Sequence, residues 1–271
     1  MAVTVKLPVT LQRLRALKAG GEKIVALTAY DAGFARLLSE QGVEIILVGD
    51  SLGMVLQGAA NTLAVTMDDM VYHTRLGATG TACPLILSDM PFMSYATQAQ
   101  AMTNAARLLG EGGAHMVKLE GGSWLLDTVR ILTERGIPVC GHLGLTPQWV
   151  NKFGGHRVQG REPDAAERIY TDAHALAEAG AELLVLECVP SALARRITTS
   201  ISVPVIGIGA GSDCDGQVLV LHDVIGVSAR KPRMARNFLQ QGGSIQAAVA
   251  AYVDAVKSGK FPEAVHSSDD K

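Results

Sequence analysis

Four carboxylates sit where a folded core tolerates them least, at the ends of short apolar runs. Asp50 ends Val43–Asp50, Asp89 ends Pro84–Asp89, Glu120 ends His115–Glu120, and Glu187 ends a run that starts at Glu182. Val/Ile/Leu runs of this length suit parallel strands covered on both faces. Four strands ending alike form one rim of a barrel, with the acids gathered around a site. Asp50, Asp89 and Glu120 belong to consecutive runs, which are neighbours in a barrel. Three oxygen donors from adjacent strands, without cysteine, suit a hard divalent ion such as Mg²⁺ that keeps positions open for water or substrate. Any one of these acids could instead cap the helix after its strand. Together they point to a metal, because clustered carboxylates repel one another unless a cation sits among them.

Lys118 precedes Glu120 by two residues, so both side chains leave the same face of their strand. Lysine is almost never buried unpaired. It either neutralises the acids or holds a carboxylate or enolate oxygen of a substrate. Glu187, expected across the barrel from the trio beside apolar Val185 and Leu186, reads as a general base. Its bland alternative is an ion pair with an arginine. His142, at the end of the fifth run, is a second titratable candidate or a hydrogen-bonded core histidine. Gly207-Ile208-Gly209-Ala210-Gly211 occupies a corner where barrels often bind phosphate. No Lys or Arg follows it closely, so phosphate is not part of the reading.

Eight β-rich runs can position these groups: Lys23–Tyr30, Val43–Asp50, Pro84–Asp89, His115–Glu120, Pro138–Leu143, Glu182–Cys188, Pro204–Gly209 and Gln217–His222. Ala- and Leu-rich stretches at helical spacing lie between most of them. Thr66 opens one, with Asp69 three residues on as an Asp variant of the capping box. Helix-to-strand joints repeat one wording, with Gly42, Gly113, Gly136 and Gly180 placed to end each helix in the left-handed conformation. Repeated strand–helix units predict a parallel sheet with right-handed crossovers, and eight of them predict an α/β fold, a closed (β/α)8 TIM barrel. Thr10–Gly20 adds an N-terminal helix across the barrel bottom and Ser244–Lys257 a C-terminal helix. The long polar stretch Gly144–Pro163 lies on the functional face. His266–Lys271 reads as a frayed polar tail, and residues 260–271 as peripheral. No linker composition divides residues 1–271, so one domain is expected.

With 271 residues and 48% hydrophobic content the chain can bury a large core. A net charge of −2 with scattered cations argues against nucleic acid. The Arg195-Arg196 and Arg230-Lys231 pairs read as solvated surface. No run approaches the roughly 18–20 apolar residues of a membrane span, and Met1–Lys6 opens no signal-peptide stretch. Cys83, Cys140, Cys188 and Cys214 are widely spaced, which suits a reduced cytoplasmic enzyme. At 4% aromatics, stacking platforms should be scarce.

Five motifs, in order, resemble the ketopantoate hydroxymethyltransferase family: Val48-Gly49-Asp50-Ser51-Leu52-Gly53, Ser88-Asp89-Met90-Pro91-Phe92, Val117-Lys118-Leu119-Glu120-Gly121-Gly122, Gly141-His142-Leu143-Gly144-Leu145-Thr146-Pro147-Gln148, and the glycine run at 207–211. The resemblance spans Lys23 to about Phe238. It implies transfer of a hydroxymethyl group from 5,10-methylenetetrahydrofolate to 3-methyl-2-oxobutanoate, giving 2-dehydropantoate for pantothenate synthesis, through a Mg-stabilised enolate. It implies Asp50, Asp89 and Glu120 around Mg²⁺, keto-acid contacts from Asp50, Ser51, Asp89 and Lys118, Glu187 as base, and a homo-oligomer, a decamer in that family. Mn²⁺ and Co²⁺ also suit such ligands. The competing readings are a carbon–carbon lyase or phosphonate mutase of the wider phosphoenolpyruvate/pyruvate barrel group, and a non-catalytic metal-binding scaffold.

Overall fold

The computed structural model describes residues 7–81, 83–228 and 232–269. Eight parallel strands close in sequence order into a barrel. They are β1 (Ile24–Thr28), β2 (Ile45–Val48), β3 (Leu85–Asp89), β4 (Met116–Glu120), β5 (Val139–Gly144), β6 (Leu183–Glu187), β7 (Val205–Ile208) and β8 (Gly216–Leu219). Closure is made by β1 against β8, with Leu27 opposite Leu219.

The side-chain period of two in a strand sorts these residues between two cores. Ile24 and Ala26, Leu85 and Leu87, Met116, Cys140, Leu183 and Val185 point inward, where they form an apolar plug. Leu14 and Leu17 of the N-terminal helix Leu11–Ala19 join this plug, so that helix stoppers the barrel bottom as its sequence implies. Continuing the same inward register toward the strand exits gives Asp89 after Leu87, Lys118 and Glu120 after Met116, His142 after Cys140, and Glu187 after Val185. Each strand is apolar at the plug and polar at the rim. The outward residues, among them Ile46, Ile86, Val117, Leu119, Leu184 and Leu186, pack under the helices.

The joints behave as their glycines require. Gly42, Gly113, Gly136 and Gly180 have φ of 88°, 75°, 78° and 106°. Helix Met67–Thr79 begins with the full reciprocal capping box of Thr66 and Asp69. Helix Ile245–Lys257 packs Tyr252 into the core, its hydroxyl donating to the Ala26 and Gln217 carbonyls.

Two expectations need correction. His222 does not end the eighth strand. That strand stops at Leu219, and His222 sits in a single helical turn, Leu221–Val224, whose first N–H is taken by the Thr28 hydroxyl. Nor does the tail fray through its described part. Phe261, His266, Ser267 and Ser268 are buried. The polar atoms there find partners far away in sequence: Ser268 Oγ donates to Gly209 O at 2.6 Å, and Asp269 accepts from Ser191 N and Oγ at 2.7 and 2.6 Å. Met1–Lys6, the Arg230-Lys231 pair and the last two residues lie outside the described residues. Arg196 of the other basic pair is a surface group, bonded to Glu167 at 2.8 Å and stacked over Tyr170.

Candidate active site

Asp50, Ser51, Asp89, Lys118, Glu120, His142 and Glu187 all line one cavity of about 980 Å³ at the strand exits. Asp50 and Ser51 lie in the turn after β2, and Ser51 Oγ is 2.9 Å from the hydroxyl of buried Tyr30. The other five sit on β3 to β6. Lys118 is 4% exposed and its Nζ lies 3.0 Å from Asp89 Oδ1 and 3.9 Å from Glu120 Oε1. Asp89 Oδ2 accepts from Asp50 N at 3.0 Å, tying the two aspartates together.

Glu187, on β6, is linked to the acids through a neighbour on β5. His142 bridges them, with Nδ1 3.4 Å from Glu120 Oε1 and Nε2 3.4 Å from Glu187 Oε2. Lys118 Nζ lies 3.2 Å from the same Nδ1. An ammonium can only donate, so Nδ1 accepts and the ring hydrogen belongs on Nε2, facing Glu187. That approach falls short of an aligned hydrogen bond.

Burial sets the electrostatics. Loss of solvent, reinforced by Asp89 and Glu120, pushes the Asp50 carboxyl well above the usual carboxylate range. Burial likewise raises Glu120 to about 7, with Lys118 opposing and Asp89 assisting. For Lys118 burial works against the charge, but the carboxylates of Asp89, Glu120 and Asp50 outweigh it and the ammonium is held above its ordinary value. Burial, then Lys118, lowers His142, which favours the neutral ring. Three carboxylates against one ammonium leave two negative charges uncovered when all are ionised.

The stretch 144–163 lines part of this mouth. It folds as the turn Pro147–Trp149 and the single helical turn Val150–Phe153, and Pro147, His156, Val158 and Arg161 line the cavity. Gln159 N donates to Cys188 O at 2.9 Å, pinning the stretch to the exit of β6. The glycine run after β7 serves close packing within the chain. A Cβ on Gly211 would lie 2.3 Å from Ser191 Oγ, and one on Gly209 3.2 Å from Met234.

Sequence reasoning missed Gln148 and Tyr95, which bond the acids from behind, and Ser267 and Ser268, which wall the cavity. The only signal for Gln148 was its place in a quoted motif. Aromatic residues are few, yet four form a row at the rim: Tyr95, Trp124, Trp149 and Phe153, with successive ring centroids 6.2, 6.1 and 6.1 Å apart.

The profile of the ketopantoate hydroxymethyltransferase family matches residues 8–264. Relatives named 3-methyl-2-oxobutanoate hydroxymethyltransferase include one from Marinobacter nauticus, 60% identical over 260 residues that span 96% of this chain and 98% of the relative. Another, from Nitrosococcus oceani, is 61% identical over 254 residues, 93% of this chain and 96% of the relative. Among solved structures, a phosphonopyruvate hydrolase complex with oxalate and Mg²⁺ superposes with a TM-score of 0.60 at 14% identity, covering 94% of this chain and 92% of that one. A 2,3-dimethylmalate lyase gives 0.57 at 15% identity, covering 87% of each. Identities that low establish the shared barrel and nothing finer. The full-length match and the high identity to the named transferases settle the family: this chain belongs to the ketopantoate hydroxymethyltransferases.

Proposed function

We propose that this enzyme transfers a hydroxymethyl group from 5,10-methylenetetrahydrofolate to 3-methyl-2-oxobutanoate, with Glu187 as the base. The observation that carries the reading is the convergence of Asp50, Asp89, Lys118, Glu120 and Glu187 on one cavity in a chain of this family.

The donor set fits Mg²⁺ in charge and hardness: three buried carboxylates, hard oxygen donors, have a single ammonium among them. Among the described residues no three His, Cys, Asp or Glu groups stand close enough to form a finished ligand shell, and Lys118 already flanks Asp89. Asp50, Asp89 and Glu120 would hold the ion, which supplies Lewis acidity toward the keto and carboxylate oxygens of the substrate. Ser51 and Lys118 orient the keto acid, and the Lys118 ammonium steadies the oxygen on which negative charge develops. Glu187 removes the C3 proton, with the N–H of neutral His142 directed at its carboxylate. The carbanionic C3 then forms a bond to the folate-borne methylene carbon as that carbon's bond to one folate nitrogen breaks. Water displaces the second nitrogen and supplies the hydroxyl oxygen, and tetrahydrofolate leaves carrying the proton taken from C3 and one from water. The cover at 144–163 encloses the bulky co-substrate and limits access of bulk water. By the family resemblance the enzyme works as a homo-oligomer, a decamer in that family. Its widely spaced cysteines suit the reduced cytoplasm, and Mn²⁺ or Co²⁺ suits the same oxygen ligands.

The test combines turnover with proton exchange. With 3-methyl-2-oxobutanoate, tetrahydrofolate, formaldehyde and Mg²⁺, 2-dehydropantoate should form, stop with EDTA and resume with Mg²⁺. Exchange of the C3 proton with solvent, followed by NMR, should vanish in Glu187→Gln. Normal exchange in that variant would remove Glu187 from the role of base. Metal-dependent exchange without product would point to a different electrophile.

A further inference from the structure

Gln148 lies in the turn after β5, is 3% exposed, and has every polar group of its side chain committed. Its Nε2 donates to Asp50 Oδ2 and to Met90 O, both at 2.9 Å. Its Oε1 accepts from the Tyr95 hydroxyl at 2.6 Å, and its backbone N–H donates to Glu120 Oε2 at 3.0 Å. Tyr95 in turn accepts from Glu120 N at 3.3 Å. One residue of the fifth loop therefore ties together the exits of β2 and β3 by its side chain and of β4 by its backbone.

The amide can face only one way. Turned over, its oxygen would meet the Asp50 carboxylate and the Met90 carbonyl, acceptor against acceptor. Held as observed, it takes one oxygen of Asp50, and its backbone takes one oxygen of Glu120. The second oxygen of Glu120 faces Lys118 and His142, and both carboxylate residues line the cavity.

We propose that Gln148, braced by Tyr95, is a positioning residue that sets the Asp50 and Glu120 carboxylates for a divalent cation; this rests on the metal reading above. Partners of this kind commonly change metal affinity by about 10–100-fold when lost. A residue that only glued loops together would alter stability and leave affinity alone.

The experiment titrates the metal-free full chain with Mn²⁺ and counts free Mn²⁺ by electron paramagnetic resonance. Gln148→Met keeps the length of the side chain and removes its hydrogen bonds, and should bind Mn²⁺ roughly 10–100-fold more weakly than the parent. Affinity within about threefold of the parent, whatever the melting temperature does, would overturn the positioning role. If Gln148→Met does not fold, Tyr95→Phe decides, because it keeps the Gln148 amide and removes its brace, together with the hydroxyl's contacts to the Glu120 backbone. A fall in affinity there supports the role and parental affinity overturns it. A parent chain that binds no Mn²⁺ would bring down the metal reading first, and this inference with it.

Discussion

Replacing Lys118 with methionine tests how the buried charges balance. The ammonium is 3.0 Å from one carboxylate and 3.9 Å from another, with all three side chains 4% exposed or less. At an effective dielectric of about 20 those separations correspond to roughly 5 and 4 kcal/mol of attraction. Desolvation costs several kcal/mol for each ion, so the net contribution of the intact cluster is small. Removing only the cation is different, because the desolvation is kept while the attraction is lost. Breaking a buried pair this way costs about 3–5 kcal/mol. For a chain of this size that lowers the melting temperature by roughly 6–20 °C. Calorimetry on the metal-free protein gives the number directly. Adding Asp89→Asn should recover much of the loss, since one stranded charge disappears. A single-variant loss below about 1 kcal/mol, or no recovery in the double variant, would show that the ammonium does not balance these acids.

Two further substitutions probe the frame of the site. Gly144 has φ of 92°, and a Cβ there would lie 2.2 Å from the Glu187 carbonyl oxygen. Gly144→Ala should cost about 2–6 kcal/mol from backbone strain and crowding combined and should slow C3 proton exchange, because Glu187 must shift. Gly110→Ala, with open space around its Cβ, is the near-neutral control, and equal melting temperatures for the two would refute the argument. Asp69 is held below the usual carboxylate range by the Thr66 hydroxyl and backbone N–H. A depressed carboxyl contributes stability that is full above its unfolded value near ~3.9 and fades as pH falls through its folded value. Asp69→Ala should therefore cost about 1 kcal/mol in urea unfolding at pH 7, with the gap to the parent narrowing toward pH 3. A constant gap would contradict the capping box as its source.

The barrel was legible because its signals are local. Each strand is an apolar run, each joint carries a glycine, and the acids at 50, 89, 120 and 187 break the apolar pattern at the rim. Lys118 and Glu120 share a face because strands alternate, and the structure lines both on the cavity. What stayed hidden depends on contacts between distant segments. Gln148 looks like an ordinary polar loop residue until Asp50, 98 positions away, accepts its hydrogen bond. His266-Ser267-Ser268 has the composition of a loose end, yet Ser268 donates to Gly209 and the next residue, Asp269, accepts two bonds from Ser191. That His142 reaches from β5 to Glu120 on one side and Glu187 on the other was likewise hidden, because strand number says nothing of side-chain reach.

The row of rings at the rim has a practical consequence. The chain contains two tryptophans, and they are in one row, 6.1 Å apart, one after β4 and the other in the cover after β5. Intrinsic tryptophan fluorescence from this protein is thus a report on a single corner. Emission follows the separation of those two indoles, whereas circular dichroism follows the whole barrel. A shift of the 144–163 stretch relative to the exit of β4 would change the first signal with the second constant, and a stopped-flow instrument would time it without attaching any label.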